Sequence, residues 1–316
     1  MITAGLRRAI GADDPQLRPG PVPGSYTSNL PFRLNPADPR PAAEGLAARL
    51  AGELWIATAE VTGPGFVTVT VTHATLARLA IRIAHAGPAC ATSDALAGHT
   101  VAPPRSALPI SGVADWPQAR AALAAELTVR LATAAGAVID PERAQVPAPP
   151  PPSRGPVAEA IAYAGPDAVR FALARMPPGG RPPEAAVIAR HVLANPAYAV
   201  RYAHAAAAAV LRWAAALGTR PAGFTPRLLA EPGELALLDA LSWLPERVAV
   251  AARRGRPDEF AGYLAELAAR TIDTMSTSRF RKIPDISSER LWLADAARTG
   301  LAAGLGLLGI DAPPRL

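Results

Sequence analysis

Residues 195–206 read NPAYAVRYAHAA, and residues 207–218 continue as AAAVLRWAAALG. The side chain of Asn195 can accept a hydrogen bond from a free N–H of a first helical turn, and Pro196 suits the first helical position, where no N–H is needed. The alanines that follow favour a helix because they lose no side-chain entropy. The stretch therefore predicts a long helix over 196–217.

The start of this helix carries polar and aromatic side chains. Tyr198 and Tyr202 are four residues apart and share one face, with Arg201 beside them and His204 on the neighbouring face. Such a cluster can bind a flat, anionic ligand. It can equally be a half-buried aromatic face with its polar tips in water, because Tyr and His usually have intermediate burial. The residues alone leave both interpretations open.

The composition favours packed helices over sheets. The chain has 316 residues. This predicts about two domains, because one hydrophobic core rarely serves more than about 250–300 residues. Hydrophobic residues make up 50% of it but aromatic residues only 5%, so the apolar mass is mostly alanine and leucine.

The chain is basic, with a net charge of +6 and a pI of about 10.2. Almost all of its basic residues are arginines, and Lys282 is the only lysine. Arginine suits phosphate because its planar guanidinium makes bidentate contacts. A codon bias towards Ala, Arg, Pro and Gly would give the same composition, so charge alone does not decide for a nucleic-acid partner.

Cys90 is the only cysteine, which excludes an internal disulfide and a zinc site with several cysteines. No apolar segment at the N-terminus resembles a secretion signal. The apolar stretch GLAAGLGLLGI near the end is about half as long as a membrane-spanning helix. We expect a cytoplasmic protein without a membrane partner.

The segment VPAPPPPSRGP, residues 146–156, is the clearest boundary. Its four consecutive prolines favour a stiff, extended spacer. We predict an α/β region at 1–145, a proline-rich linker at 146–156 and a helical bundle at 157–316, which gives an α+β fold.

In the first region, the alternation of apolar and polar side chains predicts an antiparallel hairpin. Two strand-like runs flank Gly63-Pro64-Gly65, and in the second run Val67, Val69 and Val71 alternate with threonines. In the second region, apolar periodicity and short Pro/Gly-containing connections predict an antiparallel bundle. Its helices are expected near 157–175, 184–194, 196–217, 231–254, 257–277 and 288–308.

The sequence contains fragments of catalytic and cofactor-binding motifs, but the residues around them do not match what those motifs require. GLGLLG, Gly304 to Gly309, fits the dinucleotide-binding pattern, but a helix precedes it instead of a strand, so we interpret it as a glycine-rich helix end. No phosphate-binding loop ending in Gly-Lys is possible, because Arg281 precedes the single lysine. His73 and His85 flank a helix twelve residues apart, which does not favour a metal site. The sequence predicts no metal, no cofactor and no catalytic residue.

Four ordered segments of the second region resemble the DALR-type anticodon-binding domain of arginyl-tRNA synthetases. They are NPAYAVRYAHA at 195–205, ELALLDALSWLPERV at 234–248, FAGYLAELA at 260–268 and RLWLADAARTGLAAGLGLLGIDAPPRL at 290–316. AGPDAVRFALAR at 164–175 resembles the segment that joins the catalytic and anticodon-binding domains of that family. The resemblance covers about 160–316 and implies a helical bundle that contacts an anticodon loop.

VTGPGFVTVTVT at 61–72 is similar to a hairpin of the same family's N-terminal additional domain, with Thr68 where Asn is usual. In the family, a catalytic domain between these regions carries a His-x-Gly-His signature and a Lys-Met-Ser-Lys-Ser-like loop. Here no two of the five histidines are three residues apart, and the single lysine lies in the helical region. The stretch 108–140 resembles a vestige of the first catalytic strand and helix. The resemblance therefore implies a protein without amino-acid activation.

The resemblance also implies which residues contact RNA. The start of the long helix would face the anticodon loop, and SRFRKIP at 278–284 is either a phosphate contact or a solvated loop. The expected tRNA-binding residues are Tyr198, Arg201, Tyr202, His204, Arg279, Arg281 and Lys282. The sequence departs from the family pattern where Arg201 replaces Gln, Ala206 replaces Arg, Ile272 and Met275 replace an aromatic pair, and Leu316 replaces Met. Fewer aromatic rings predict weaker or altered anticodon reading.

We expect a non-catalytic tRNA-binding protein that resembles a shortened arginyl-tRNA synthetase. Its N-terminal region would hold the tRNA elbow and its bundle the anticodon stem-loop. Two alternatives stay open. One is a protein-interaction or accessory subunit of a separate synthetase or tRNA-dependent enzyme, and the other is arginine–tRNA ligase activity.

Overall fold

The computed structural model describes residues 1–12, 14–102, 115–140 and 154–316. Most of the predicted linker 146–156, and the beginning of the predicted vestige 108–140, lie outside the described residues. The α+β fold class is confirmed: a small antiparallel sheet lies in the N-terminal region, and the C-terminal region is helical.

The helices are α1 (Ile2–Ile10), α2 (Leu30–Leu34), α3 (Arg40–Ala51), α4 (His73–Ala77), α5 (Leu79–Ala86), α6 (Trp116–Ala134), α7 (Pro156–Ala164), α8 (Pro166–Arg175), α9 (Ala185–Ile188), α10 (Pro196–Ala216), α11 (Pro232–Ser242), α12 (Leu244–Arg254), α13 (Pro257–Met275), α14 (Ser278–Arg281) and α15 (Ser288–Leu307). The strands are β1 (Leu17–Pro19), β2 (Ser25–Ser28), β3 (Ile56–Thr62), β4 (Phe66–Val71), β5 (Thr100–Val101) and β6 (Val138–Ile139).

The sheet of the N-terminal region has the strand order β1-β2-β4-β3, and all its neighbours are antiparallel. The predicted hairpin is confirmed, with Thr62 opposite Phe66 across the turn. Gly63 has a φ of 56°, a conformation that glycine adopts without steric cost. The alternating valines of β4 are buried, as the period of two requires, and α3 packs on β3 and β4.

The bundle is centred on α10, α13 and α15, which pack against one another. Small residues on α15 allow this approach. A Cβ added to Gly304 would lie 2.3 Å from Cδ2 of Leu264 on α13, and one added to Gly300 would lie 2.8 Å from Cδ2 of Leu241 on α11. Gly304 is the first residue of GLGLLG, so the interpretation of this pattern as the end of a packed helix is confirmed.

Three predicted helices differ in the structure. The helix over 157–175 is divided at Gly165, whose φ of 86° is incompatible with a continuous helix. The helix over 231–254 is divided before Pro245, which lacks the N–H that a continuous ladder needs. Within 184–194 only the four residues of α9 are helical.

The N-terminal region packs directly on the bundle. α5 lies against α15, and Tyr26 is fully buried with its hydroxyl donating to Oγ of Ser242 at 2.6 Å. The N–H of Gly24 donates to Oδ1 of Asp239 at 2.9 Å. Buried apolar residues form one continuous cluster across both regions. Among the described helices, none combines the length and the apolar character needed to cross a membrane.

Candidate nucleic-acid interface

Asn195 fixes the geometry at the beginning of α10. Its Oδ1 accepts a hydrogen bond from the N–H of Ala197 at 3.1 Å, which confirms the predicted helix cap. Its Nδ2 donates to the carbonyl oxygens of Ile188 at 2.9 Å and Arg190 at 2.7 Å. The buried amide therefore ties the turn before α10 to the first helical turn, and this turn carries His191.

Three aromatic rings stack beside this cap. The imidazole of His191 lies nearly parallel to the ring of Tyr198, with an interplanar angle of 10° and centroids 5.3 Å apart. Tyr198 in turn stacks on Tyr202, with an angle of 29° and centroids 5.8 Å apart. His191 and Tyr202 are exposed, and Tyr198 is half-buried between them. The stack presents flat apolar surface on which a further ring can pack.

The two tyrosines line an open cleft of about 460 Å³ between α10 and the end of α13 with α14. Arg212, Arg281 and Arg315 supply cations, and the residues that line the cleft include no Asp or Glu. The other large side chains of the lining are Trp213, Ile272, Met275, Phe280 and Leu316. This arrangement suits the binding of a flat ring that carries an anionic group.

The residues of the basic patch at 278–284 have different environments. Phe280 is buried and anchors α14, which brings Arg281 into the cleft lining. Arg279 is paired with Glu231, with 2.7 Å between Nη2 and Oε1. Lys282 is exposed and forms no ion pair within the part of the chain that the structure describes.

Arg201 lies towards α8 and not in the cleft. Its Nη2 is 3.8 Å from Oδ2 of Asp167, and its side chain is 30% exposed. Its Nε is buried and has no hydrogen-bond partner among the described residues. Arg201 therefore borders the stacked tyrosines without lining the space in front of them.

The expected grouping of His204 with the tyrosines needs correction. His204 follows Tyr202 by two residues, which places it about 200° further around the helix, and it is 4% exposed. Its Nδ1 lies 2.9 Å from the carbonyl oxygen of Pro313, and since a carbonyl only accepts, Nδ1 carries the hydrogen. Burial lowers the pKa of His204, the bond to Pro313 raises it, and the charge of Arg298 lowers it.

The role of His204 is to hold the segment 313–316 against α10. Arg212 donates to the carbonyl oxygen of Pro314 in the same segment. Together these two bonds place Arg315 and Leu316 in the cleft lining.

Four of the five departures from the family pattern in the helical region lie together in space, and Arg201 is the exception. The cleft lining contains Ala206, Ile272, Met275 and Leu316. Beside the tyrosines, this chain has smaller apolar side chains where the family pattern has an arginine and two aromatic rings. The cleft therefore offers fewer rings on which a base can stack.

Sequence reasoning missed His191, Arg212 and Trp213. Trp213 continues the face of Tyr198 and Tyr202 at helical spacing, so a longer helical projection would have found it. His191 gave no such signal, because it precedes the helix and reaches Tyr198 only through the turn that Asn195 holds.

Comparison with known proteins identifies relatives of the helical region. Residues 200–316 match the family model described as the DALR anticodon binding domain. The chain is 39% identical over 158 residues to an arginine–tRNA ligase of Clavibacter sepedonicus, which covers 48% of this chain and 28% of that protein. It is 43% identical over 128 residues to an arginine–tRNA ligase of Kineococcus radiotolerans, which covers 39% of this chain and 23% of that protein.

The chain thus spans about a quarter of the length of these curated relatives. Among solved structures, the arginyl-tRNA synthetase of Thermus thermophilus aligns with 69% of this chain and 34% of its own, at 22% identity and a TM-score of 0.41. The family matches confirm the resemblance that the sequence motifs gave for the anticodon-binding region.

Proposed function

We propose that this chain is a non-catalytic tRNA-binding protein and that the cleft beside α10 holds the anticodon stem-loop. The observation that carries the proposal is the stack of His191, Tyr198 and Tyr202, whose tyrosines line a cleft with three arginines and no acidic side chain. Unstacked loop bases are bound by aromatic rings and guanidinium planes. The match of residues 200–316 to an anticodon-binding domain supports the same assignment.

The candidate residues then take different parts. Tyr198 and Tyr202 stack on loop bases, while Arg281 and Lys282 contact phosphates. Arg279 can contact a phosphate only if its ion pair with Glu231 breaks. Arg201 and His204 act indirectly, because one borders the tyrosines and the other holds the tail that completes the cleft.

The proposed lack of amino-acid activation rests on the sequence. Phosphate chemistry depends on preorganised charge, which synthetases of this family supply through their His-x-Gly-His and Lys-Met-Ser-Lys-Ser motifs. This sequence contains neither motif and only one lysine. We expect no arginine-dependent exchange of pyrophosphate into ATP, and detectable exchange would favour the ligase alternative.

We also propose that the N-terminal region contacts the tRNA elbow, and that the protein acts in the cytoplasm, where tRNA is used. In the hairpin, the hydroxyl of Thr68 lies 3.1 Å from that of Thr27 and 3.0 Å from that of Thr62. These bonds occupy part of the hydrogen-bonding capacity of Thr68. The elbow contact is therefore expected to be weaker than the contact at α10.

The test is a filter-binding titration of total tRNA with the unchanged protein, Tyr202→Ala and Tyr163→Ala. Tyr163 is 68% exposed on α7 and does not line the cleft, so it is the matched control. Loss of one stacked base reduces affinity about 5- to 150-fold, and we expect this only for Tyr202→Ala. No binding by the unchanged protein, or equal losses in both variants, contradicts the proposal.

Exposed apolar side chains at and just after the end of α10 favour a second candidate function, an accessory subunit of a separate synthetase or tRNA-dependent enzyme. Trp213 is 56% exposed and Leu217 is 59% exposed. This alternative predicts that such an enzyme co-purifies with the chain, that Trp213→Ala abolishes the association, and that the isolated chain binds little tRNA.

A further inference from the structure

A second open cleft, of about 850 Å³, lies in the N-terminal region between α1, the turn that precedes β3 and the pair α4–α5. Three arginines line it: Arg8 on α1, Arg78 between α4 and α5, and Arg82 on α5. All three are exposed, and none forms an ion pair with a residue that the structure describes.

These cations are arranged against electrostatic preference. The N–H of Arg82 donates to the carbonyl oxygen of Arg78, so the two side chains stand one helical turn apart, where like charges destabilise a helix. The adjacent Arg7, in contrast, forms ion pairs. Its Nη1 lies 3.0 Å from Oδ1 of Asp94, and its Nη2 lies 3.3 Å from Oε2 of Glu246. None of the arginines that line the cleft is paired with a carboxylate of the described residues, as expected where a ligand supplies the anion.

Trp55 gives this cleft a flat apolar wall. Its Nε1 donates to Oε2 of Glu53 at 2.9 Å, which orients the indole. Its Cη2 lies 3.6 Å from the position that a Cβ on Gly5 would take, so the indole packs on α1 over a residue without a side chain. Glu53 is the one carboxylate among the lining residues, and this bond engages it.

We propose that the arginine cleft, defined by Arg8, Trp55, Arg78 and Arg82, binds the phosphate backbone of the RNA whose loop occupies the α10 cleft. This inference rests on the proposed function for the identity of the RNA. Guanidinium forks match phosphodiester oxygens, and an indole stacks on a base or packs on a sugar.

The geometry favours a chain of phosphates over a single small anion. Arg8 stands on one wall, and Arg78 and Arg82 stand on the other, so the charges are spread along an open groove. A compact phosphate is usually held by converging backbone N–H groups at a nest or a helix start. Met1 and Ile2 at the start of α1 also line this cleft, but its three arginines stand on two walls and do not converge on one point.

The experiment compares Arg8→Gln/Arg82→Gln with Arg18→Gln/Arg227→Gln, which removes the same charge. Arg18 and Arg227 are exposed and are not among the residues that line either cleft. Affinity for full-length tRNA and for an isolated anticodon stem-loop is measured across salt concentrations. Each lost phosphate contact lowers the slope of log K against log salt by about 0.7–0.9. For full-length tRNA we expect a decrease of about 1.4–1.8 in the cleft variant and no change in the control.

The stem-loop should bind the cleft variant and the unchanged protein equally. Equal tRNA slopes in the two double variants would overturn this inference and leave the proposed function standing. Failure of the unchanged protein to bind tRNA would overturn both. Saturable binding of inorganic pyrophosphate that the cleft variant loses, with an unchanged tRNA slope, would assign the cleft to a small phosphate ligand and overturn the RNA assignment.

A second measurement locates the contact directly. Ultraviolet cross-linking of bound tRNA, followed by mass spectrometry, should yield a nucleotide adduct on Trp55. A cross-link pattern confined to α10 and α14 would overturn the inference even if the slopes changed.

Discussion

The imidazole of His191 stacks on the ring of Tyr198, with centroids 5.3 Å apart and planes 10° from parallel. The two residues belong to different elements, and the amide of Asn195 holds those elements together. An aromatic surface that crosses the start of a helix therefore depends on one buried polar side chain. The exposed rings and the buried amide form a single unit, which leads to the first prediction.

Asn195→Ala should lower the free energy of unfolding by about 2–4 kcal/mol, because it removes a helix cap and leaves two carbonyl oxygens without a donor. It should also weaken tRNA binding, since His191 loses its support. Urea denaturation and tRNA titration measure the two effects. Asn195→Ser is the matched control: its hydroxyl keeps a cap acceptor without adding charge, it loses the Nδ2 donor, and its stability should fall between those of the other two proteins. An Asn195→Ala protein as stable as the unchanged one would contradict this account of α10.

His204 should make stability depend on pH. Its pKa in the folded protein is lowered from the ordinary 6.5, mainly by burial, so below that pH the unfolded chain binds more protons than the folded chain. The free energy of unfolding should therefore be constant above about pH 6.5, as far as His204 contributes, and should fall as the pH drops below it.

The measurement for His204 is denaturation at several pH values with the unchanged protein and His204→Asn, which keeps a donor but does not titrate. The difference in stability between the two proteins should change below about pH 6.5 and stay level above it. A difference that is constant from pH 5 to pH 8 would contradict the assignment of a buried, neutral imidazole.

Much of the fold follows from local signals in the sequence. The cap at Asn195, the alternation of Val67, Val69 and Val71, and the helical periodicity of 257–277 and 288–308 each correspond to an element at the expected place. These signals succeed because they depend on residues close together in the chain. The parallel pair β5–β6 gives no such signal. Each strand has only two residues, which are too few for an alternation, and the two strands are far apart in the chain.

The candidate site was harder to predict because it depends on contacts between distant residues. Helical spacing correctly gives Tyr198 and Tyr202 a common face. It does not reveal that the segment 313–316 covers His204, or that Asp167 attracts Arg201. His191 could not be found from the sequence, because its stacking on Tyr198 requires the turn that Asn195 closes.

Two glycines of α15 should respond in opposite ways to the same substitution. A Cβ on Gly304 would lie 2.3 Å from Cδ2 of Leu264, whereas a Cβ on Gly306 would meet no atom within 4 Å. Gly306→Ala should stabilise the protein by about 0.5–1 kcal/mol through helix propensity. Gly304→Ala should destabilise it by about 1–3 kcal/mol because the packed core must shift. Thermal denaturation measures both, and equal effects would contradict the close contact of α13 and α15.

Restoring an aromatic ring in the cleft should strengthen RNA binding. Ile272 is half-buried in the cleft lining at a position where the family has an aromatic residue. Ile272→Tyr adds a stacking surface and should raise tRNA affinity by about 5-fold or more. Val187→Tyr adds the same ring on α9 outside the cleft and should have no effect. Titration of tRNA with both variants is the check, and no gain for Ile272→Tyr would show that this wall does not meet a base.

The central claim is that the stacked rings on α10 hold the loop of a tRNA. Chemical probing of tRNA bases with and without saturating protein tests it most directly. The account predicts protection of anticodon-loop bases, lost with Tyr202→Ala and retained with Tyr163→Ala. Protection confined to the acceptor end, or no protected loop base at saturation, would contradict it.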